Sequence, residues 1–464
     1  MSSTHDLNRA SGSVTVTESG SYSATEGEFW VPLGEGLSIQ TGLLHEVCFT
    51  DVSPLSHDLS VVLGAVKCAD RSIVRRHTWG WERRINIVVP VYELGTWRRT
   101  EVAQALNNLL QYLTGDVWSV SFVKRRRKAA CAGQLLLLSA PERKRVFVPF
   151  SHGLDSFAQS ELLARIDSSV EVIPVHLRAS SQESSMRSVG RSARKRLAAI
   201  PVAARVHEPK RTEQSFRTRP FLYDSLAAYA AVLSGGGDVL IPENGQGSLG
   251  GSLVRLGAEA PLRSCYPGFT FRLSAFFRHL TGQQVNFRHP ALFRTKGQVL
   301  KDLMKHRPDS SVWLKAHPSC SYDARHAHRG GERVHCGVCG NCLLRRMSLH
   351  AAGIDDCTPY KVNNLAAASI EEARIDGDEE PVLRTYHDIA RNAVRSMQRL
   401  ADQIGPEGRY RVAAEAENLV PLLALSRTEV QEALNSMLQQ HSREWVEFLE
   451  YCGDSSWVAQ FARG

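Results

Sequence analysis

The 464-residue chain has no apolar run near the ~18 residues that a membrane-spanning helix needs, so no such span is expected. No basic stretch followed by an apolar core opens it, so no secretory signal is expected either. Ten cysteines in a chain of this length do not make a disulfide framework. Four of them cluster like metal ligands, which fits a reducing, cytoplasmic setting. Residues 29–140 hold no constellation of catalytic groups. Wholesale disorder is excluded as well: 43% hydrophobic and 22% charged residues are globular values. Charge leans positive, to a formal +8. That invites an anionic partner without choosing between a nucleotide, a nucleic acid and an acidic protein.

The chain is too long for one ordinary core, so two to three domains are expected. Residues 1–28, rich in Ser, Thr and Gly, read as a disordered lead-in. Residues 29–140 read as a small α/β module. Residues 84–91 and 117–123 are its strands, and 100–113 is an amphipathic helix capped by Thr100. Its tryptophans and the Leu113-Thr-Gly-Asp-Val-Trp118 segment read as packing and turn signals. The basic run at 124–128 reads first as a solvated hairpin or linker, and second as a contact for nucleic acid or an acidic partner.

Residues 141–360 alternate strand and helix: strands at 146–150, 170–177, 203–207 and 238–241, helices at 157–166 and 222–233, and a basic helix at 184–199. This rhythm argues for an α/β fold, a parallel sheet covered by helices. Ligands of such sheets sit beyond the carboxyl ends of the strands. Ser151 to Ser156, His176 to Arg178 and Glu243 to Gly245 all follow strands and are expected to line one crevice. Residues 361–464 form a helical C-terminal region, with helices at 386–404, 410–425 and 426–451.

The stretch Ser151-His152-Gly153-Leu154-Asp155-Ser156 joins the first of these strands to its helix. A strand, a tight turn and a helix N-terminus together make an anion site, because free N–H groups and the helix dipole both favour negative charge. Ser151 and Ser156 add hydroxyl donors. Asp155 is expected to cap the helix, hold the loop or bind a magnesium ion. The ordinary alternative is a plain strand–turn–helix connection.

Cys320 and Cys336-Gly-Val-Cys339-Gly-Asn-Cys342 have the spacing of a closed, tetrahedral Cys₄ zinc site, structural rather than water-activating. An iron–sulfur cluster is the competing reading. His317, His326, His328 and His335 lie near in sequence, and one of them is an alternative fourth ligand.

The loop resembles the Ser-Gly-Gly-x-Asp-Ser signature of PP-loop ATP pyrophosphatases, with His152 in place of the first glycine. With Thr295-Lys-Gly-Gln298 and Cys336-Gly-Val-Cys-Gly-Asn-Cys-Leu-Leu-Arg345, it resembles 7-cyano-7-deazaguanine synthase, a QueC-like family of PP-loop (HUP-like) fold, over about residues 145–358. The resemblance implies an ATP-dependent synthase that adenylates a 7-deazaguanine carboxylate, releasing pyrophosphate, before a nitrogen nucleophile displaces AMP. It implies ATP on Ser151, His152, Gly153, Leu154, Asp155 and Ser156, with adenine held by main chain at His176 and Leu177. ATP, Mg²⁺ and Zn²⁺ are the implied cofactors. The long extensions on both sides resemble the larger QueC-like proteins of antiphage defence cassettes, the QatC type. That implies a protein amine as acceptor and a protein partner.

Bringing two anions together requires cations and donors at the developing pyrophosphate. Lys296 is the candidate for the phosphates, with a solvated lysine as the alternative. Arg217 and Arg219 are candidates for a bidentate grip on the substrate carboxylate. Glu243 and Asn244 have the donors and acceptors to read a guanine-like face, or form a capped Asn-Gly turn. Asp155, Lys296 and Arg219 are the expected catalytic residues. Three further readings stay open: preQ0 synthesis for queuosine, a PP-loop tRNA-modifying enzyme, and an inactive scaffold.

Overall fold

The computed structural model describes residues 10–76, 80–127, 143–179, 199–207, 212–255, 257–321, 327–329, 332–374 and 384–464. Its elements begin with β1 (Ala10–Thr17), β2 (Ser23–Thr25), β3 (Glu28–Pro32), β4 (Leu37–Gln40), α1 (Gly42–Cys48), α2 (Pro54–Ser72) and β5 (Arg83–Val91). Next come α3 (Leu94–Trp97), α4 (Thr100–Thr114), β6 (Val117–Lys124), β7 (Lys144–Pro149), α5 (Leu154–Ile166), β8 (Val170–Ala179), β9 (Ile200–Val206), α6 (Arg219–Leu233) and β10 (Gly237–Leu240). They are followed by α7 (Gly245–Leu253), α8 (Pro267–Thr281), β11 (Val285–Arg288), α9 (Lys296–His306), α10 (Ser310–Ala316), β12 (His328–Arg329) and β13 (Glu332–Arg333). The last are α11 (Gly340–Ala351), α12 (Arg384–Ala401), α13 (Arg409–Leu419), α14 (Arg427–Cys452) and α15 (Trp457–Arg463).

The chain divides into two compact units. The first gathers Met1–Ser151, Asp167–Ile241 and Ala258–His289; the second gathers His152–Ile166, Pro242–Gly257 and Pro290–Gly464. These units run across positions 140 and 360.

The first unit carries two mostly parallel sheets. One has the order β2-β3-β1-β5-β6, antiparallel only at β2–β3. The expected lead-in is therefore corrected: residues 10–17 are a central strand, with Val14 and Val16 buried. Composition suggested disorder, but the alternation Val14-Thr-Val16 is a half-buried strand pattern. The other sheet has the order β11-β10-β7-β8-β9-β4 and is parallel except for β4 on β9, where Leu37 faces Val206. Residues 37–40, expected in a separate module, thus finish this sheet.

α2, α4 and α6 pack against the sheets. α4 buries Val102, Leu106, Leu109, Leu110 and Leu113. Thr100 is its first helical residue rather than its cap; Arg99 holds the cap position without a side-chain bond. The 113–118 segment acts in packing as expected. Gly115 ends α4 at φ +72, and Asp116 accepts from Arg75 at 2.6 and 2.7 Å and from Arg83 at 2.8 Å. Burial opposes the charge on Asp116, and the two arginines outweigh it, holding its pKa below the usual range. Residues 184–198 of the expected basic helix and Lys128 lie outside the described residues.

In the second unit, Cys336, Cys339 and Cys342 share one core with Tyr360 and Ile370 and with Val394, Trp445, Phe448 and Trp457 of the tail helices. Two of the expected tail helices begin and end within a few residues of α12 and α14. Ser426 caps α14, accepting from Glu429 N.

Candidate functional site

α5 begins at Leu154, directly after His152 and Gly153. Asp155 and Ser156 lie in its first turn, so neither is its cap. The Ser156 hydroxyl donates to Gly153 O at 2.9 Å, tying the turn to itself. His152 stands at φ +58, the left-handed region a glycine would adopt freely. Its carbonyl accepts from His317 Nδ1 at 3.1 Å, and the His317 ring stacks on Phe157 of α5 at 4.0 Å between centroids. Burial lowers the His317 pKa to about 4, so the ring is neutral at physiological pH.

Asp155 is where the second unit concentrates charge. Lys296 Nζ lies 2.6 Å from Asp155 Oδ2, and Asn244 Nδ2 donates to Asp155 Oδ1 at 3.0 Å. The same Asn244 amide donates to Glu243 Oε1 at 2.7 Å. Lys296 is only 3% exposed, which removes the solvated-lysine reading. Burial first, and the neighbouring Asp155 charge second, push Glu243 up to about 8, while Lys296 pulls the other way. Asn244 also caps α7 by accepting from Gly247 N at 3.1 Å, so the capped Asn-Gly turn and the polar cluster are the same structure. A buried ammonium, an ionisable carboxylate and a carboxyl group that holds its proton thus meet at a helix N-terminus. Such a set binds anions and moves protons near neutral pH.

Two features of the cluster left no mark in the sequence. Lys296 N donates to Gln246 Oε1 at 2.8 Å, and Thr295 Oγ1 donates to Glu444 Oε1 at 2.6 Å. Both partners are remote from α9 in sequence, and no local motif points to them.

The first unit holds His176, Leu177, Arg217 and Arg219 of the predicted residues. His176 Nδ1 bonds to Phe150 O at 2.8 Å, and burial lowers its pKa. Leu177, Arg178, Arg219 and Tyr223 line a cavity of about 210 Å³ together with Lys67 and Phe216. Tyr223 donates to Leu177 O at 3.2 Å. Arg217 is placed otherwise: it pairs with Glu259 at 3.2 Å and lies over the Trp81 ring at 4.6 Å. Lys67 was not legible, since α2 is far from β8 and α6 in sequence. Ser151, the last residue of the first unit's opening segment, is exposed.

The sulfurs of Cys320, Cys336, Cys339 and Cys342 all lie within 4.8 Å of one another. Four sulfurs about 2.3 Å from a central ion stand about 3.8 Å apart. Cys336 Sγ and Cys342 Sγ are 3.8 Å apart. Cys339 N donates to Cys336 Sγ at 3.3 Å and Cys336 N to Cys320 Sγ at 3.4 Å, as in a metal knuckle. Gly337 between them is at φ +86, and a β-carbon there would meet Val362 O at 2.2 Å, so only glycine fits. Cys342 lies in the first turn of α11, where the dipole favours a thiolate. This donor set fits a tetrahedral metal ion. Neither His317 nor His335 joins it: the first holds His152, and His335 Nε2 accepts from Ser319 N at 3.0 Å. His326 lies outside the described residues.

Arg345, fully buried in α11, donates to His317 O at 2.8 Å and to Leu314 O at 2.9 Å. Through His317 the cysteine knuckle is linked to the carbonyl of His152.

No family model matches the chain. Over 100 residues it is 36% identical to proteins described as 7-cyano-7-deazaguanine synthase from Brucella ovis, Brucella canis and Brucella suis. The shared stretch is 21% of this chain and 38% of each of those proteins, so the chain spans little more than a third of the length of the curated relatives it matches. This distant likeness supports a QueC-like kinship over that stretch.

Proposed function

We propose that the chain is an adenylate-forming enzyme of the 7-cyano-7-deazaguanine synthase-like kind. It activates the carboxylate of a 7-deazaguanine with ATP and passes the acyl group to an amine, in antiphage defence and with a protein partner. The observation that carries the reading is the Asp155–Lys296 pair, with Asn244 and Glu243, at the first turn of the helix that follows the signature loop.

In the first step a carboxylate oxygen attacks the α-phosphorus, and the bond from that phosphorus to the pyrophosphate oxygen breaks. Residues 152–156 present backbone donors to the phosphates. Lys296, released from Asp155 as the nucleotide arrives, moves its charge onto them. The oxygen donors of Asp155 suit a magnesium ion, which would add charge neutralisation. Arg219, in a cavity that Lys67 and Arg178 also line, is assigned to the substrate carboxylate. Glu243 and Asn244 are assigned to the deazapurine face or, through Asp155, to holding the loop. In the second step the amine attacks the acyl carbon, AMP leaves, and the amine proton passes to a base. Zinc held by the four cysteines would have a structural role.

The test is incubation of the full chain with ATP, magnesium and 7-carboxy-7-deazaguanine, with candidate partner proteins and with ammonia. AMP and pyrophosphate are the expected products, with a mass shift on the partner. A nitrile product with ammonia and no shift on any partner would return the reading to preQ0 synthesis. No AMP under any condition would overturn adenylation.

A further inference from the structure

The tail helices lie beyond the region of family resemblance, yet Glu444 touches the start of α9, which carries Lys296, and His441 reaches it through Gln246 of α7. His441 of α14 is fully buried, and its Nε2 lies 3.0 Å from Met397 O of α12. A carbonyl only accepts, so Nε2 carries the proton. Burial lowers the ring's pKa to about 4, so it is neutral and Nδ1 keeps a lone pair. Gln246 must then turn its NH₂ to His441 Nδ1, at 2.9 Å, which leaves its Oε1 for Lys296 N at 2.8 Å. One buried histidine thus fixes which way the Gln246 amide faces.

Glu444, one turn further along α14, makes the second contact. Its Oε1 accepts from Thr295 Oγ1 at 2.6 Å and from Gln440 Nε2 at 3.0 Å. With its proton committed to Glu444, the Thr295 hydroxyl has its lone pairs free to accept from Gln298 N at 3.2 Å, which caps α9. The contact is close: a β-carbon at Gly297 would come within 2.8 Å of Glu444 Oε1.

We propose that Gln246, His441 and Glu444 are positioning residues that hold the backbone of Lys296 so that its ammonium meets Asp155 and the phosphate site. The catalytic geometry then depends on the C-terminal helices. The proposal rests on the assignment of Lys296 to the phosphates. It predicts that loosening the contact lowers turnover more than ATP affinity, because a lysine displaced by an ångström loses alignment before it loses attraction.

The full chain is compared with Glu444→Ala, Glu444→Gln, His441→Ala and Leu434→Ala. Leu434 is a buried α14 residue of the same helix and serves as the control for stability alone. Each protein is assayed for pyrophosphate–ATP exchange with 7-carboxy-7-deazaguanine, for thermal unfolding, and for the rate at which acetic anhydride modifies Lys296, read by peptide mass spectrometry. Glu444→Ala and His441→Ala should lower kcat about ten- to a hundredfold with KM for ATP little changed, and should speed Lys296 acetylation. Glu444→Gln keeps the acceptor and should restore both. Leu434→Ala should lower the melting temperature without either effect. If kcat and acetylation simply follow melting temperature across the series, the contact is structural and the proposal fails. If the wild type shows no exchange, adenylation fails, and the acetylation series still decides the positioning: an unchanged Lys296 rate in Glu444→Ala and His441→Ala overturns it.

Discussion

Replacing His152 by glycine isolates the backbone term of the loop. At φ +58 a residue with a β-carbon is strained by about 1–2 kcal/mol, and histidine lies toward the lower end as one of the better-tolerated types. Glycine removes that strain. Against it, glycine gives the unfolded chain more freedom, about 0.5–1 kcal/mol. The bond from His317 Nδ1 goes to the main-chain carbonyl, so the substitution keeps it. The ring is half-buried and its packing is lost, which narrows the gain. The balance is a stabilisation of at most about 0.5 kcal/mol, no more than one or two degrees in Tm for a unit of this size. ATP binding and AMP formation should survive within about tenfold, about 1.4 kcal/mol of barrier. His152→Val is the opposite probe, because a β-branched side chain in this region should cost a further 1–2 kcal/mol or so. Calorimetry of the full chain with and without ATP reads all three proteins. If glycine is less stable than histidine by more than about 1 kcal/mol, or valine matches glycine, the left-handed backbone is not what residue 152 supplies. If glycine creates AMP formation that the wild type lacks, the scaffold reading is right.

The cysteine knuckle should carry about one zinc per chain. Cys339→Ser should lose it and, through Arg345 and His317, loosen the loop at His152; elemental analysis that finds iron with sulfide, or no metal, contradicts this. Glu243 holds its proton up to about 8 in the folded chain, from an ordinary 4.5. A raised pKa contributes stability that is complete below 4.5 and is lost as pH rises through 8. Wild type should therefore lose stability relative to Glu243→Gln between roughly pH 5 and pH 9, and a difference in urea midpoint that stays constant over that range refutes the assignment. Lys296→Met strands the Asp155 carboxylate, which is only 22% exposed, and should cost on the order of 3 kcal/mol while abolishing exchange. Adding Asp155→Asn should recover part of the stability and none of the activity; additive effects would show that the two groups are not coupled.

What the sequence revealed followed the range over which each constraint acts. The four cysteines were legible because three ligands must come from one short turn, and Gly337 marks that turn. The α/β rhythm was legible because a buried strand and an amphipathic helix each write their own period into the chain. β1 was misread because alternation over a few residues competed with a composition typical of disorder, and what decides is the pairing of β1 with β3 and β5. The partner of Asp155 lies 141 positions away, and only the family resemblance put Lys296 forward. Gln246, His441 and Glu444 were invisible for a stronger reason. Each is an unremarkable helical residue until folding buries it, and its role is set by one neighbour's lone pair. Met397 O fixes the His441 proton, the proton fixes the Gln246 amide, and the amide fixes Lys296 N. A chain of such choices has no local signature. If the positioning holds, the C-terminal helices cannot be removed as a spare appendage: they share a core with the knuckle, and they hold the backbone of the lysine on which the proposed chemistry depends.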